Sequence, residues 1–232
     1  MSADDEELDI VLRGIHRDPP TDGYEPVTVD TNRGAVRLRY YRAAAAQRGV
    51  LFIGSGGGWS SPGRGELFPR LCAAMTGAGL AALRLRPRRP DDLAESVLDA
   101  LVGLHFLQRE GVRRFGLVGH GFGAGVAAQA AANAEGTRAL VALAARPDGL
   151  EAVAALPAGC AGLFVHGADD AVSPPSCTRR AYAAAPEPKY LRVVSGAGHG
   201  FDEVVEPLLR ELQDWLVLEL TEGDPRLRRP PA

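Results

Sequence analysis

The sequence predicts an α/β fold: a three-layer α/β/α sandwich around a mostly parallel sheet that begins with an antiparallel hairpin. Three observations predict it. Segments 26–30 and 34–41 alternate apolar with polar residues on either side of the turn Asn32-Arg33-Gly34. After them, short apolar runs alternate with helical stretches, the pattern of repeated βα units. Finally, the stretch from Phe115 to Gly125 passes from an apolar run through a glycine-rich turn into an Ala-rich segment.

Residues 1–24 are polar and carry Pro19-Pro20, so a flexible N-terminal segment is expected there. The hairpin follows, with Val36, Leu38 and Tyr40 alternating with arginines. A strand at 50–53 leads into a glycine loop and a helix near 66–76. A strand at 80–85 precedes a helix over 91–110, whose Leu93, Val97, Ala100, Leu101 and Leu104 form an apolar stripe. A strand at 115–118 leads to a turn and a helix over 122–133. Strands at 140–143, 162–166 and 190–194 complete the sheet, and an amphipathic helix over 201–218 closes the domain, which spans 25–220. The Pro/Arg-rich tail 221–232 is expected to be disordered. Fewer than 20 residues separate the strands at 140–143 and 162–166, which leaves no room for a helical lid and implies an open site.

The chain has 232 residues, 46% hydrophobic and 24% charged, with a net charge of −3. These values suit one globular domain and give no electrostatic reason to expect nucleic acid or a membrane surface. The acidic start and the lack of a long apolar run predict neither a secretory signal nor a membrane span. Three cysteines without metal-type spacing fit a reduced, cytoplasmic protein.

The chemistry concentrates in three segments. Gly119-His120-Gly121-Phe122-Gly123 has the glycines and the strand–helix setting of a G-x-S-x-G nucleophile elbow, with Gly121 where the hydroxyl belongs. Asp170 follows an apolar strand in His166-Gly-Ala-Asp-Asp170. His199 lies in the loop Gly196-Ala-Gly-His-Gly200. In acyl transfer an imidazole takes the nucleophile's proton, and a carboxylate holds that imidazole in the useful tautomer. Asp170 is the better acid than Asp169, being three residues past Gly167.

These segments resemble the α/β-hydrolase superfamily, in particular its small lid-less, dienelactone-hydrolase-like members, over about residues 50–218. The resemblance implies hydrolysis of esters, lactones or thioesters. It also implies an oxyanion hole formed by the Phe122 amide and one from Ser55 or Gly56; His120 in the elbow is a candidate substrate-binding residue that reads equally as a packing and hydrogen-bonding one. It implies no metal or organic cofactor. Members of that superfamily carry Ser or Cys where this chain has Gly121, so ordinary hydrolysis is expected to be absent or very low. Two alternatives stand beside that: His199 with Asp170 as a general base without a protein nucleophile, and a binding protein on a hydrolase scaffold. The expected partner is a small carbonyl-type molecule, and a homodimer is compatible with the chain. As substitute nucleophiles, Ser55, Ser60 and Ser61 lie at the same end of the sheet but read as loop or helix-capping residues, and Cys72 reads as core. The basic run Arg84, Arg86, Arg88, Arg89 reads as a solvated loop, or else as a clamp for a carboxylate or phosphate. Gly119, Gly121 and Ala124 also fit a dinucleotide fingerprint, but no acid ends the following strand.

Overall fold

A computed structural model describes residues 9–221. Nine strands form one sheet in the spatial order β1-β2-β3-β5-β4-β6-β7-β8-β9. They are β1 (Leu12–Arg17), β2 (Glu25–Thr31), β3 (Gly34–Tyr41), β4 (Arg48–Ile53), β5 (Ala81–Arg86), β6 (Arg114–His120), β7 (Thr137–Leu143), β8 (Ala161–Gly167) and β9 (Lys189–Val194). The helices are α1 (Leu67–Gly77), α2 (Leu93–Arg109), α3 (Phe122–Asn133), α4 (Pro175–Ala184) and α5 (Val205–Thr221).

The expected hairpin is present. Val27, Val29, Val36, Leu38 and Tyr40 point to the core, and Arg37 stays exposed. β3 runs antiparallel to β5, and from there to β9 all pairing is parallel. The central strands are buried on both faces, as βα crossovers require, so they read as apolar runs without alternation. On one face, Val50, Phe52, Val118, Val141 and Leu163 pack against α1 and α5. On the other, Leu51, Ile53, Leu117, Leu140 and Phe164 pack beneath α2, α3 and α4. Asp92 caps α2 by accepting the Glu95 amide at 3.1 Å.

Several boundaries differ from the sequence reading. The segment expected to be loose contains β1, which pairs antiparallel with β2 along the sheet edge. Backbone pairing fixes it, with Leu12 and Ile15 resting against the core. The last helix begins at Val205, not near 201, because Phe201 turns at a φ of 56° to bury its ring. α4 lacks an apolar stripe, since its buried residues are Cys177, Thr178 and Ala181. Residues 222–232 of the expected disordered tail lie outside the described residues, and Thr221 ends α5. Between β7 and β8 the chain makes only a short 3-10 turn at Leu150–Ala155.

Candidate active site

β6 ends at His120 and α3 begins at Phe122, so Gly121 alone makes the turn between them. Its φ of 56° and ψ of −118° would strain any residue with a side chain. The flanking glycines answer a different need. A Cβ on Gly119 would lie 2.1 Å from the Gly123 carbonyl oxygen, and one on Gly123 would lie 2.4 Å from that of Ile53. Strand, turn and helix close on one another only because neither has a side chain.

A Cβ on Gly121 would meet Ser55 Oγ at 2.4 Å, Ser55 Cβ at 2.8 Å and His199 Nε2 at 3.3 Å. The volume that an elbow side chain would take is therefore filled by Ser55, and His199 borders the same point. Ser55 is held there by its own loop. Gly54 lies so close beneath Ser60 that a Cβ would come within 2.2 Å of Ser60 Oγ, and that hydroxyl donates to the Ser55 carbonyl at 3.0 Å. The Phe122 amide, at the N-terminus of α3, donates to Ser55 Oγ at 3.4 Å. Gly56 follows at a φ of 95° with open space around it. Ser61 does act as a cap, accepting the Phe68 amide of α1 at 2.9 Å.

His199 lies on the loop between β9 and α5 and donates from Nδ1 to Asp170 Oδ2 at 2.8 Å. That bond leaves Nε2 as the basic nitrogen, on the side of Gly121. The Asp170 side chain is buried, which by itself would raise its pKa. The amides of Ser173 and Val172, donating to Oδ1 at 2.9 and 2.8 Å, and the His199 ring on Oδ2 outweigh burial and hold the carboxyl below its usual range. His166 supports the acid from beneath. Its Nε2 is 3.0 Å from Asp170 Oδ2 and 2.9 Å from the Ser173 carbonyl, both acceptors, so Nε2 carries the hydrogen. Its Nδ1 then accepts the Thr178 hydroxyl at 2.6 Å. Gly167 lets the histidine loop pack down, since a Cβ there would lie 2.2 Å from the Ala197 carbonyl oxygen.

The structure thus brings Gly121, Phe122, Ser55, Asp170 and His199 to one place, with Gly56 on the adjoining loop. Asp169 is exposed, its amide donating to the Ala197 carbonyl at 3.0 Å, while Asp170 holds the His199 ring. His120 takes the packing and hydrogen-bonding role expected for it at the elbow. It is 7% exposed and packs beneath His199, where it supports the loop of the base. Arg89 of the basic run is exposed, but Arg84 and Arg88 are held by the protein. Arg84 is 3% exposed and donates to the Trp59 carbonyl at 2.6 Å, while Arg88 binds the carboxylates of Asp99 and Glu95. Arg86 and Arg37 line an open cleft of about 510 Å³ beside Gly57 and Gly58. The sequence reading missed Thr178 together with α4, although a proline in the first turn is a helix-start signal.

No family model matches the chain, and no curated protein matches it by sequence. Solved structures match it well. Est1E from Butyrivibrio proteoclasticus superposes with a TM-score of 0.74 at 13% identity, covering 85% of this chain and 99% of that one. A dienelactone hydrolase from Anabaena variabilis gives 0.71 at 20% identity, over 85% and 98%. An α/β serine hydrolase without a lid from Xanthomonas campestris gives 0.64 at 17%, over 89% and 100%. The chain has the α/β-hydrolase fold.

Proposed function

We propose that this is a general-base site for carboxylic-ester chemistry, of hydrolase descent, on an elbow that contributes no nucleophile of its own. The observation that carries the reading is the 2.8 Å bond from His199 Nδ1 to Asp170, with Nε2 beside the point over Gly121. His199 removes a proton from an oxygen nucleophile at that point, and the imidazolium is stabilised by the buried carboxylate. The Phe122 amide and the positive end of α3 favour the developing negative charge. The esterase and dienelactone hydrolase names among the structural neighbours support ester, lactone or thioester substrates. The open site, with only a 3-10 turn between β7 and β8, suits a small or protruding acyl group. With water as its only nucleophile such a site reaches roughly 10³–10⁴-fold over the uncatalysed reaction.

The test is hydrolysis of p-nitrophenyl acetate, p-nitrophenyl butyrate and a small lactone by the protein and by His199→Ala. Turnover that disappears in His199→Ala supports the reading. Equal turnover by both proteins, or none by either, overturns it and favours a binding scaffold.

A further inference from the structure

We propose that Ser55 is the nucleophile of this site, delivered from the loop after β4 in place of an elbow residue. The inference rests on the general-base reading above and adds the atom that reacts. Three observations meet at one point. Ser55 Oγ lies 2.4 Å from where a Cβ of residue 121 would be, and His199 Nε2 lies 3.3 Å from the same place. The amide that opens α3 donates to the same Oγ at 3.4 Å. The fit is reciprocal: the absence of a side chain at Gly121 makes room for Ser55, and Ser55 leaves no room for one at 121. The serine is also fixed, since Ser60 holds its carbonyl and Gly54 allows the loop to fold back beneath Ser60. Of the three loop serines, Ser60 and Ser61 are occupied in backbone bonds, and Ser55 alone has its hydroxyl at the elbow point that His199 Nε2 also borders.

In the step this implies, Ser55 Oγ attacks the ester carbonyl carbon while its proton passes to His199 Nε2. The tetrahedral adduct collapses, and the alcohol leaves with that proton. Water then attacks the acyl-Ser55 ester, His199 again taking and returning a proton, to release the acid and restore the hydroxyl. Catalytic hydrogen bonds are often long before substrate arrives and tighten in the complex.

The test is labelling by a fluorophosphonate with peptide mapping by mass spectrometry, alongside p-nitrophenyl butyrate hydrolysis. The protein as it stands is expected to carry the adduct on the peptide containing Ser55. Ser55→Ala is expected to lose the label and to fall by on the order of 10³-fold or more in kcat, with its melting temperature retained. In the double variant Ser55→Gly with Gly121→Ser, the label is expected to move to position 121, which would show that the base serves either origin of the oxygen. Hydrolysis that depends on His199 yet is unchanged in Ser55→Ala, with no adduct at Ser55, overturns the proposal and leaves the general-base reading standing with water as nucleophile. Hydrolysis that survives His199→Ala overturns the reading itself.

Discussion

His120 donates from Nε2 to the backbone carbonyl of His199 at 2.9 Å, and the two rings lie 4.8 Å apart. One histidine thus supports the loop that carries the other. Burial, working against the hydrogen bond to the His199 carbonyl, pushes the His120 pKa down to about 4. It therefore stays neutral wherever the base works, and a second positive charge beside His199 is avoided.

This pairing gives the fold a pH dependence. A buried His with a folded pKa near 4 and an unfolded value of 6.5 contributes stability that is complete above pH 6.5 and is lost as pH falls toward 4. The loss is on the order of 3 kcal/mol. Melting temperatures between pH 8 and 4.5 should fall more steeply for the protein than for His120→Gln, which cannot be protonated. Parallel curves would refute the assignment.

Asp170→Asn removes the charge while nearly keeping the shape. Its amide cannot both accept from Val172 and Ser173 and hold the Nδ1–H tautomer of His199. With Ser55 as nucleophile, a drop in kcat of about 10⁴-fold is expected from the wrong tautomer. Steady-state kinetics on an activated ester, with circular dichroism to check the fold, measures it.

Gly121→Ala should destabilise the protein for two separable reasons. The φ of 56° costs on the order of 1 kcal/mol for a residue with a Cβ, and that Cβ would collide with Ser55. Combining it with Ser55→Gly should recover the collision part and leave the strain. A double-mutant cycle by urea unfolding would then show a coupling of about 1 kcal/mol or more. Simple additivity would mean that Ser55 does not fill the elbow volume.

Gly167→Ala would place a Cβ 2.2 Å from the Ala197 carbonyl oxygen and lift the loop that bears His199. A displacement of that size costs on the order of 10²-fold in rate. The comparison is kcat for Gly167→Ala against Gly77→Ala, where a Cβ meets nothing within 4 Å and activity should persist.

The parallel strands were legible because burial on both faces leaves a continuous apolar run, as at Val50–Ile53 of β4. The elbow was legible from Gly119 and Gly123, whose role is local packing. The Asp170–His199 pair followed from its order along the chain, because both residues sit on loops at strand ends. β1 escaped notice because an edge strand needs little apolar surface, and its Leu12 and Ile15 stand among charged neighbours. α4 escaped because small residues make its contact with β8. The sequence reading set Ser55 at the site, but not its side chain in the elbow volume. That placement depends on two loops meeting in space, and its one trace in the sequence is the missing side chain at Gly121.

The pairing of β4 with β6 sets Ile53 beside Gly119. The loop holding Ser55 and the turn holding Gly121 therefore leave the sheet at one level from adjacent strands, roughly 4.8 Å apart. That interval belongs to the backbone ladder and is independent of which side chain fills it. Neighbouring strands can then exchange the duty of supplying a hydroxyl while the imidazole and its carboxylate stay where they are. A sheet of this kind offers two addresses for one oxygen atom.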